Sequence, residues 1–320
     1  MCIRDSYNTD IDPERVIIMP GGKPTMYYAI TLFGEPGAEI IYPDPGFPIY
    51  ESMINYTGAK AVPINMLENK DFSINPEKIL SLINENTRLI ILNNPNNPTG
   101  YVYSYDEIKT LVEIVKKHNL FLIADEVYRE FTYDNVSHTS ILQFDDIKQH
   151  AIVIDSVSKR YSMCGARIGC IISKNSEFIS TAMKFAQARL SPPTLAQIAS
   201  TAAMDTGEDY FNKVINEYND RRKTLVEGLN EIPGVKVSEP KGAFYCVVEL
   251  PVNNSEHFAK WLLEEYSLNQ ETIMVAPAAG FYSTPNIGQN QVRIAYVLNQ
   301  SDLKSCINIL KNGLMEYLKQ

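Results

Sequence analysis

Short apolar runs alternate with stretches whose apolar residues return every three or four positions, and this alternation governs the first half of the chain. Residues 15–19, 39–42, 59–64, 88–92, 120–124, 151–154 and 168–172 are apolar runs rich in Ile, Val and Leu. Runs of this kind read as strands buried on both faces. An acidic loop follows 59–64, and helical spacing covers 25–33, 48–55, 76–83 and 104–118. Ser104 stands three residues before Glu107 in the form of a capping box, and Ile108, Leu111, Val112 and Val115 share one helix face. Strands and helices in alternation predict an α/β fold with a mostly parallel, doubly wound sheet and helices on both faces.

Beyond residue 174 the period turns helical over 178–188, 194–204 and 209–230, and Pro233-Gly234 closes the last of these. Strand-like segments 242–250, 273–276 and 291–297 then alternate with helical 255–266 and 301–318. The pattern predicts a large domain over 1–205 and a smaller C-terminal α+β domain over 206–320.

The polar groups of interest stand just after the strands, and in open α/β sheets the carboxyl ends of the strands are the ligand-binding edge. Pro20-Gly21-Gly22-Lys23-Pro24 joins a strand to a helix and offers N–H groups to an anion, although it reads equally as a tight turn. It is not a Walker loop, because proline follows Gly-Lys where Ser or Thr is needed. Phe47 is either core or a flat face for a heterocycle. Asn97 lies in an Asn/Pro/Gly-rich turn over 93–100. Asp125 ends the strand 120–124, where a buried carboxylate is costly unless paired; a helix cap is the plainer reading. The segment 156–169 carries Ser156, Ser158, Lys159, Arg160 and Arg167. It is either a solvated basic connection or an amine nucleophile among phosphate-binding groups. Arg293 alternates with apolar neighbours, as a solvent-facing strand residue does and as a bidentate carboxylate clamp would.

Composition narrows the classes. With 29 basic and 38 acidic residues the net charge is -9, which argues against nucleic acid or an anionic membrane as partner. No apolar run reaches the length of a membrane span. The 5 cysteines and 4 histidines lack metal-ligand spacing, so no metal centre is expected and the thiols suit a reducing, cytoplasmic setting. Residues 1–6 have no signal-peptide pattern and read as a scar on a shortened chain.

Taken together, PGGKPT, DPGF, NPNNPTG, ADEVY, SVSKRYSMCGARIG, GAFY and VRIAY resemble, in order, the class I/II pyridoxal-phosphate aminotransferases of fold type I, the group that contains bacterial aspartate aminotransferases. The resemblance covers nearly the whole chain from residue 15 onward. It implies pyridoxal 5′-phosphate as cofactor and Lys159 as its Schiff-base lysine and later proton-transfer base. Asp125 would pair with the pyridine nitrogen and keep the ring an electron sink, while Tyr128 and Asn97 would bond its phenolic oxygen. Phe47 would stack on the ring. Gly22 and Lys23 (through backbone N–H), Ser156, Ser158 and Arg167 would hold the phosphate. Arg293, with Asn97 beside it, would bind the substrate carboxylate, and the Asn97–Pro98 bond would be cis. The implied substrates are an amino acid and a 2-oxo acid, and the implied assembly is a homodimer with active sites at the interface. Ala166 departs from the tryptophan that many relatives carry there. Relatives also have an N-terminal segment that closes over the substrate and serves the partner's phosphate site. The same scaffold supports C–S β-lyases and, with a DNA-binding domain attached, ligand-sensing regulators.

Overall fold

The computed structural model describes residues 9–66 and 72–320; residues 1–6 and most of the acidic loop lie outside the described residues. The first sheet contains β1 (Val16–Met19), β2 (Glu39–Asp44), β3 (Lys60–Asn65), β4 (Thr87–Asn93), β5 (Phe121–Asp125), β6 (Ala151–Ser156) and β7 (Gly169–Ile172). Their order is β1-β7-β6-β5-β4-β2-β3. Strands β3, β2, β4, β5 and β6 pair in parallel, and β7 runs antiparallel to both β6 and β1. The connection into β7 holds only the one-turn helix Val157–Arg160 and a short 3-10 turn. That is too little for the crossover a parallel strand requires, so the chain reverses.

Side chains alternate across this sheet as the strand period demands. Ile41, Ile90, Leu92 and Leu122 face one core, together with Ile108 and Leu111 of the helix Tyr105–His118. Ile40, Leu89, Ile91 and Ile123 face the other, together with Met26 and Ile30 of the helix Gly22–Thr31 and Tyr50 and Ile54 of the helix Ile49–Tyr56. The fold is the expected mostly parallel α/β sheet covered on both faces. Ser104 and Glu107 form the capping box reciprocally.

The second sheet is antiparallel, in the order β10-β11-β9-β8, with β8 (Lys236–Val237), β9 (Tyr245–Glu249), β10 (Ala276–Pro277) and β11 (Gln291–Ala295). Several details differ from the pattern-based expectation: β8 was not expected, and β9 is shorter than the expected 242–250. A strand over 273–276 was expected, whereas β10 begins only at Ala276 and ends with a proline at the sheet edge, the position where a missing N–H is tolerated. The segment after Ser156 is a helical turn rather than a loop, because the Ser156 side chain caps it by accepting from Ser158 N.

The two sheets are knitted together by the segment that leaves β5. Tyr128, Phe131 and Tyr133 enter the apolar core of the second sheet, and Tyr133 donates from its hydroxyl to Ala243 O at 2.6 Å. Arg222, buried on the helix Glu208–Asn230, donates to Asp134 at 2.8 Å, Glu239 at 3.1 Å and Pro240 O at 2.9 Å. No helix among the described residues is long and apolar enough to cross a membrane.

Candidate active site

Strands β1 to β6 all run the same way, so their carboxyl ends share one edge. There a cavity of about 310 Å³ opens, lined by Gly22, Lys23, Phe47, Asn97, Asp125, Tyr128, Ser156, Ser158, Lys159, Arg167 and Arg293, and also by Met26, Asn93, Val127, Cys164 and Tyr245. Every site residue expected from the sequence is in this lining. Arg293 arrives from β11 of the second sheet.

Asp125 is buried, and no helix follows it to be capped. Its Oδ2 accepts from the Tyr50 hydroxyl at 2.8 Å, while its Oδ1 has no hydrogen-bond partner. Burial pushes this carboxyl up to about 6, against the Tyr50 bond, the nearby Val127 backbone N–H and the Lys159 charge, which pull it down. A buried carboxylate oxygen left open in this way is matched by a cationic N–H donor. Asn93 braces the neighbouring strand end. Its amide donates to Asp125 O at 3.0 Å, and its Oδ1 accepts from Asn97 N at 2.7 Å. Asn97–Pro98 is cis, as are Asp44–Pro45 and Asn94–Pro95.

A second group of residues suits an anion. The helix Gly22–Thr31 begins with no side-chain cap, which leaves N–H groups and the positive end of the helix dipole facing outward. Ser156 and Ser158 stand beside it with their hydroxyls 2.8 Å apart. Arg167 adopts a left-handed backbone (φ 56) and anchors its guanidinium on Cys164 O at 2.8 Å. Gly21 (φ +94) makes room for that guanidinium, since a Cβ there would lie 2.3 Å from Arg167 Nη2. Gly169 lets the 21–22 backbone rest on β7, because its Cβ would meet Gly22 N at 2.9 Å.

Lys159 projects from the capped turn, its Nζ 5.7 Å from the Tyr128 ring centroid and 5.6 Å from that of Phe244. Beneath it, Asp155 accepts from Ser156 N at 2.7 Å and from Arg129 Nε at 3.2 Å, and Arg160 pairs with Glu130. These buried pairs hold the turn that carries the lysine. Tyr128 is locked edge-on against Phe244 and Tyr245, and its hydroxyl lies 3.1 Å from that of Tyr245. Arg293 donates to Asn97 Oδ1 at 3.0 Å, with its guanidinium between the rings of Tyr245 and Phe281. The loop after Phe281 is tied to the end of β2, where Asp44 accepts from Ser283 N at 2.9 Å and Thr284 N at 3.1 Å. Phe47 is half-buried, with Lys23 Nζ 5.1 Å above its ring.

Sequence reasoning missed Tyr50 and gave Tyr245 no role. Tyr50 left no signal beyond lying three residues after Phe47 on a helix face. Tyr245 was visible only as the last residue of GAFY.

A doubly wound sheet with an amine, a buried carboxylate holding one open oxygen and an uncapped helix start gathered at its carboxyl edge has the form of an α/β enzyme site. The chain belongs to the family Aminotransferase class I and II, whose model matches residues 2–310. It is 35% identical to an aspartate aminotransferase of Sulfolobus acidocaldarius, across 99% of this chain and 78% of the relative. It is 32% identical to one of Pyrococcus horikoshii, across 96% and 77%. The solved aromatic aminotransferase of Pyrococcus horikoshii superposes with a TM-score of 0.89 at 27% identity, covering 98% of this chain and 83% of that one. The chain is therefore an aminotransferase, and pyridoxal 5′-phosphate is the cofactor its family implies.

Proposed function

We propose that the enzyme exchanges an amino group between an L-amino acid, with aspartate the first donor to test, and a 2-oxo acid, using Lys159 and pyridoxal phosphate held in this cavity. The observation that carries the reading is that Lys159 and the unpartnered Asp125 Oδ1 line the same cavity as the anion cradle. The residues fit the group. Asp125 would keep a proton on the ring nitrogen, Tyr128 and Asn97 would donate to the ring oxygen, and Phe47 would cover a ring face. Gly22 and Lys23 N–H, the Ser156 and Ser158 hydroxyls and Arg167 would hold the phosphate. Bound there, the cofactor supplies a carbonyl carbon and an electron-withdrawing ring. Arg293 would bind the substrate α-carboxylate and so place the Cα hydrogen for transfer to Lys159. The relatives above are named aminotransferases, which favours transfer over the β-lyase outcome.

The same reading divides the chain into a large unit over 1–205 around the first sheet and a smaller one over 206–320 around the second. It places the protein in the cytoplasm, supported by free cysteines. It also makes the protein a homodimer, supported by the apolar surface of Leu190, Leu195 and Ile198, all strongly exposed.

Reconstitution with pyridoxal phosphate, borohydride reduction and peptide mapping tests the assignment. Label on Lys159 is expected; label on another lysine, or none on folded protein, refutes it. Arg293→Lys raises KM for the amino acid by about 10–100-fold with a smaller change in kcat, because an ammonium cannot reproduce the bidentate fork. Steady-state kinetics read this directly. Gly21→Ala displaces the Arg167 guanidinium and lowers cofactor affinity about tenfold or more. Titration of pyridoxal phosphate into variant and parent gives the ratio, and equal affinities would remove Arg167 from the cradle.

A further inference from the structure

Tyr245 of β9 touches two groups that the proposed function uses separately. Its hydroxyl oxygen is 3.1 Å from the Tyr128 hydroxyl, and its ring centroid is 4.4 Å from the Arg293 guanidinium carbon. Phe281 covers the same guanidinium at 4.7 Å. Only one proton can lie between the two hydroxyls, so one of them donates and the other keeps its own proton for another acceptor. Resting on the functional reading above, we propose that Tyr245 is a positioning residue that donates to the Tyr128 oxygen and thereby directs the Tyr128 proton into the cavity, toward the oxygen of the cofactor ring.

The Arg293 cation breaks the symmetry of the pair. Arg293 stacks on the Tyr245 ring at 4.4 Å, and a cation held over a phenol face favours that phenol as the hydrogen-bond donor of the pair. Around Tyr128 the balance differs. The Arg293 charge acts on Tyr128 as well, but there the Asp125 carboxylate opposes it, and Lys159 Nζ stands 5.7 Å from the Tyr128 ring. The charged and titratable groups facing Tyr128 are thus Asp125 at the end of β5, Lys159 on the capped turn, Arg293 on β11, Tyr245 on β9 and Tyr50 on the helix Ile49–Tyr56. Tyr128 is buried, with its ring held edge-on between Phe244 and Tyr245 at centroid distances of 5.2 and 5.7 Å. It has little freedom to rotate toward another partner, so the neighbouring hydroxyl decides where its proton points.

The test uses the holoenzyme without substrate. A donor bond to the ring oxygen stabilises its anionic form, so weakening that bond raises the pH midpoint of the bound cofactor's absorbance change. Tyr245→Phe keeps a ring face under Arg293 and removes only the hydroxyl. It raises the midpoint by about half a pH unit. It leaves the affinity for succinate, an unreactive dicarboxylate probe of Arg293, within about twofold. Tyr128→Phe raises the midpoint further, and the double variant Tyr128→Phe/Tyr245→Phe matches Tyr128→Phe alone, because Tyr245 acts through Tyr128. Tyr245→Leu, which removes the ring, weakens succinate by about threefold. An unchanged midpoint in Tyr245→Phe, or additive shifts in the double variant, overturns the proposal while leaving the cofactor assignment intact. Failure of the parent protein to bind the cofactor overturns both.

Discussion

Lys159→Ala lowers kcat for transamination by about 10⁴-fold or more, because on the proposed reading the substitution removes both the amine that would carry the cofactor and the group that would move the Cα proton. Lys159→Arg does no better. A guanidinium stays protonated at any working pH and cannot act as nucleophile or base. Both variants retain the anion cradle, since Ser156 caps the turn through its own side chain and Arg167 is anchored on Cys164 O. The cofactor therefore remains bound but is lost on denaturation after borohydride treatment. Mass spectrometry of the reduced, denatured proteins separates this outcome from simple misfolding. Turnover within about tenfold of the parent in either variant would place the chemistry on another residue.

Asp125→Asn has opposite effects on activity and on stability. Activity falls by about 10³-fold, because a neutral amide would not hold a proton on the ring nitrogen that Asp125 is proposed to face. The cofactor-free protein, in contrast, becomes more stable at neutral pH. In the folded chain Asp125 keeps its proton up to about 6, against an ordinary value of 3.8. The folded state thus binds the extra proton across that window. Stability contributed by this group is full below 3.8, declines as pH rises, and is lost above about 6. The penalty at neutral pH is about 3 kcal/mol at most. An asparagine does not ionise and escapes it. Chemical denaturation at about pH 7.5 shows the variant ahead, and at about pH 4 the advantage shrinks toward zero. A variant less stable than its parent at both values would contradict this account. A cofactor with a cationic ring nitrogen would offset the same penalty, because Asp125 Oδ1 is open to such a donor.

Much of the site could be read from the chain because of where its residues stand. Gly22, Phe47, Asn97 and Lys159 each follow a strand by a few residues, and Asp125 is the last residue of β5. Once those strands run the same way, their ends must meet. The bland readings gave way for reasons local to each group. Asp125 precedes no helix and so caps none, and Arg293 is stacked between rings rather than turned to solvent. The misplaced strand at 273–276 shows the limit of the period. Ile273 is buried and apolar, yet it contributes to a core without pairing in a sheet.

Apolar periodicity and strand-end position by themselves pointed to the α/β class and to one sheet edge, while the motif resemblance added Tyr128 and the roles expected of the other lining residues. They could do so because burial period and turn residues are local properties of the chain. Only the tertiary structure decided the reversal of β7, the Tyr50 bond to Asp125, the contact of Tyr245 with Tyr128, and the Asp44 ties that bring the loop after Phe281 against β2. Apart from the reversal of β7, each of these joins residues 75 or more positions apart. Which distant side chains meet depends on strand register and on how two cores pack, and a repeating pattern of apolar positions leaves both open.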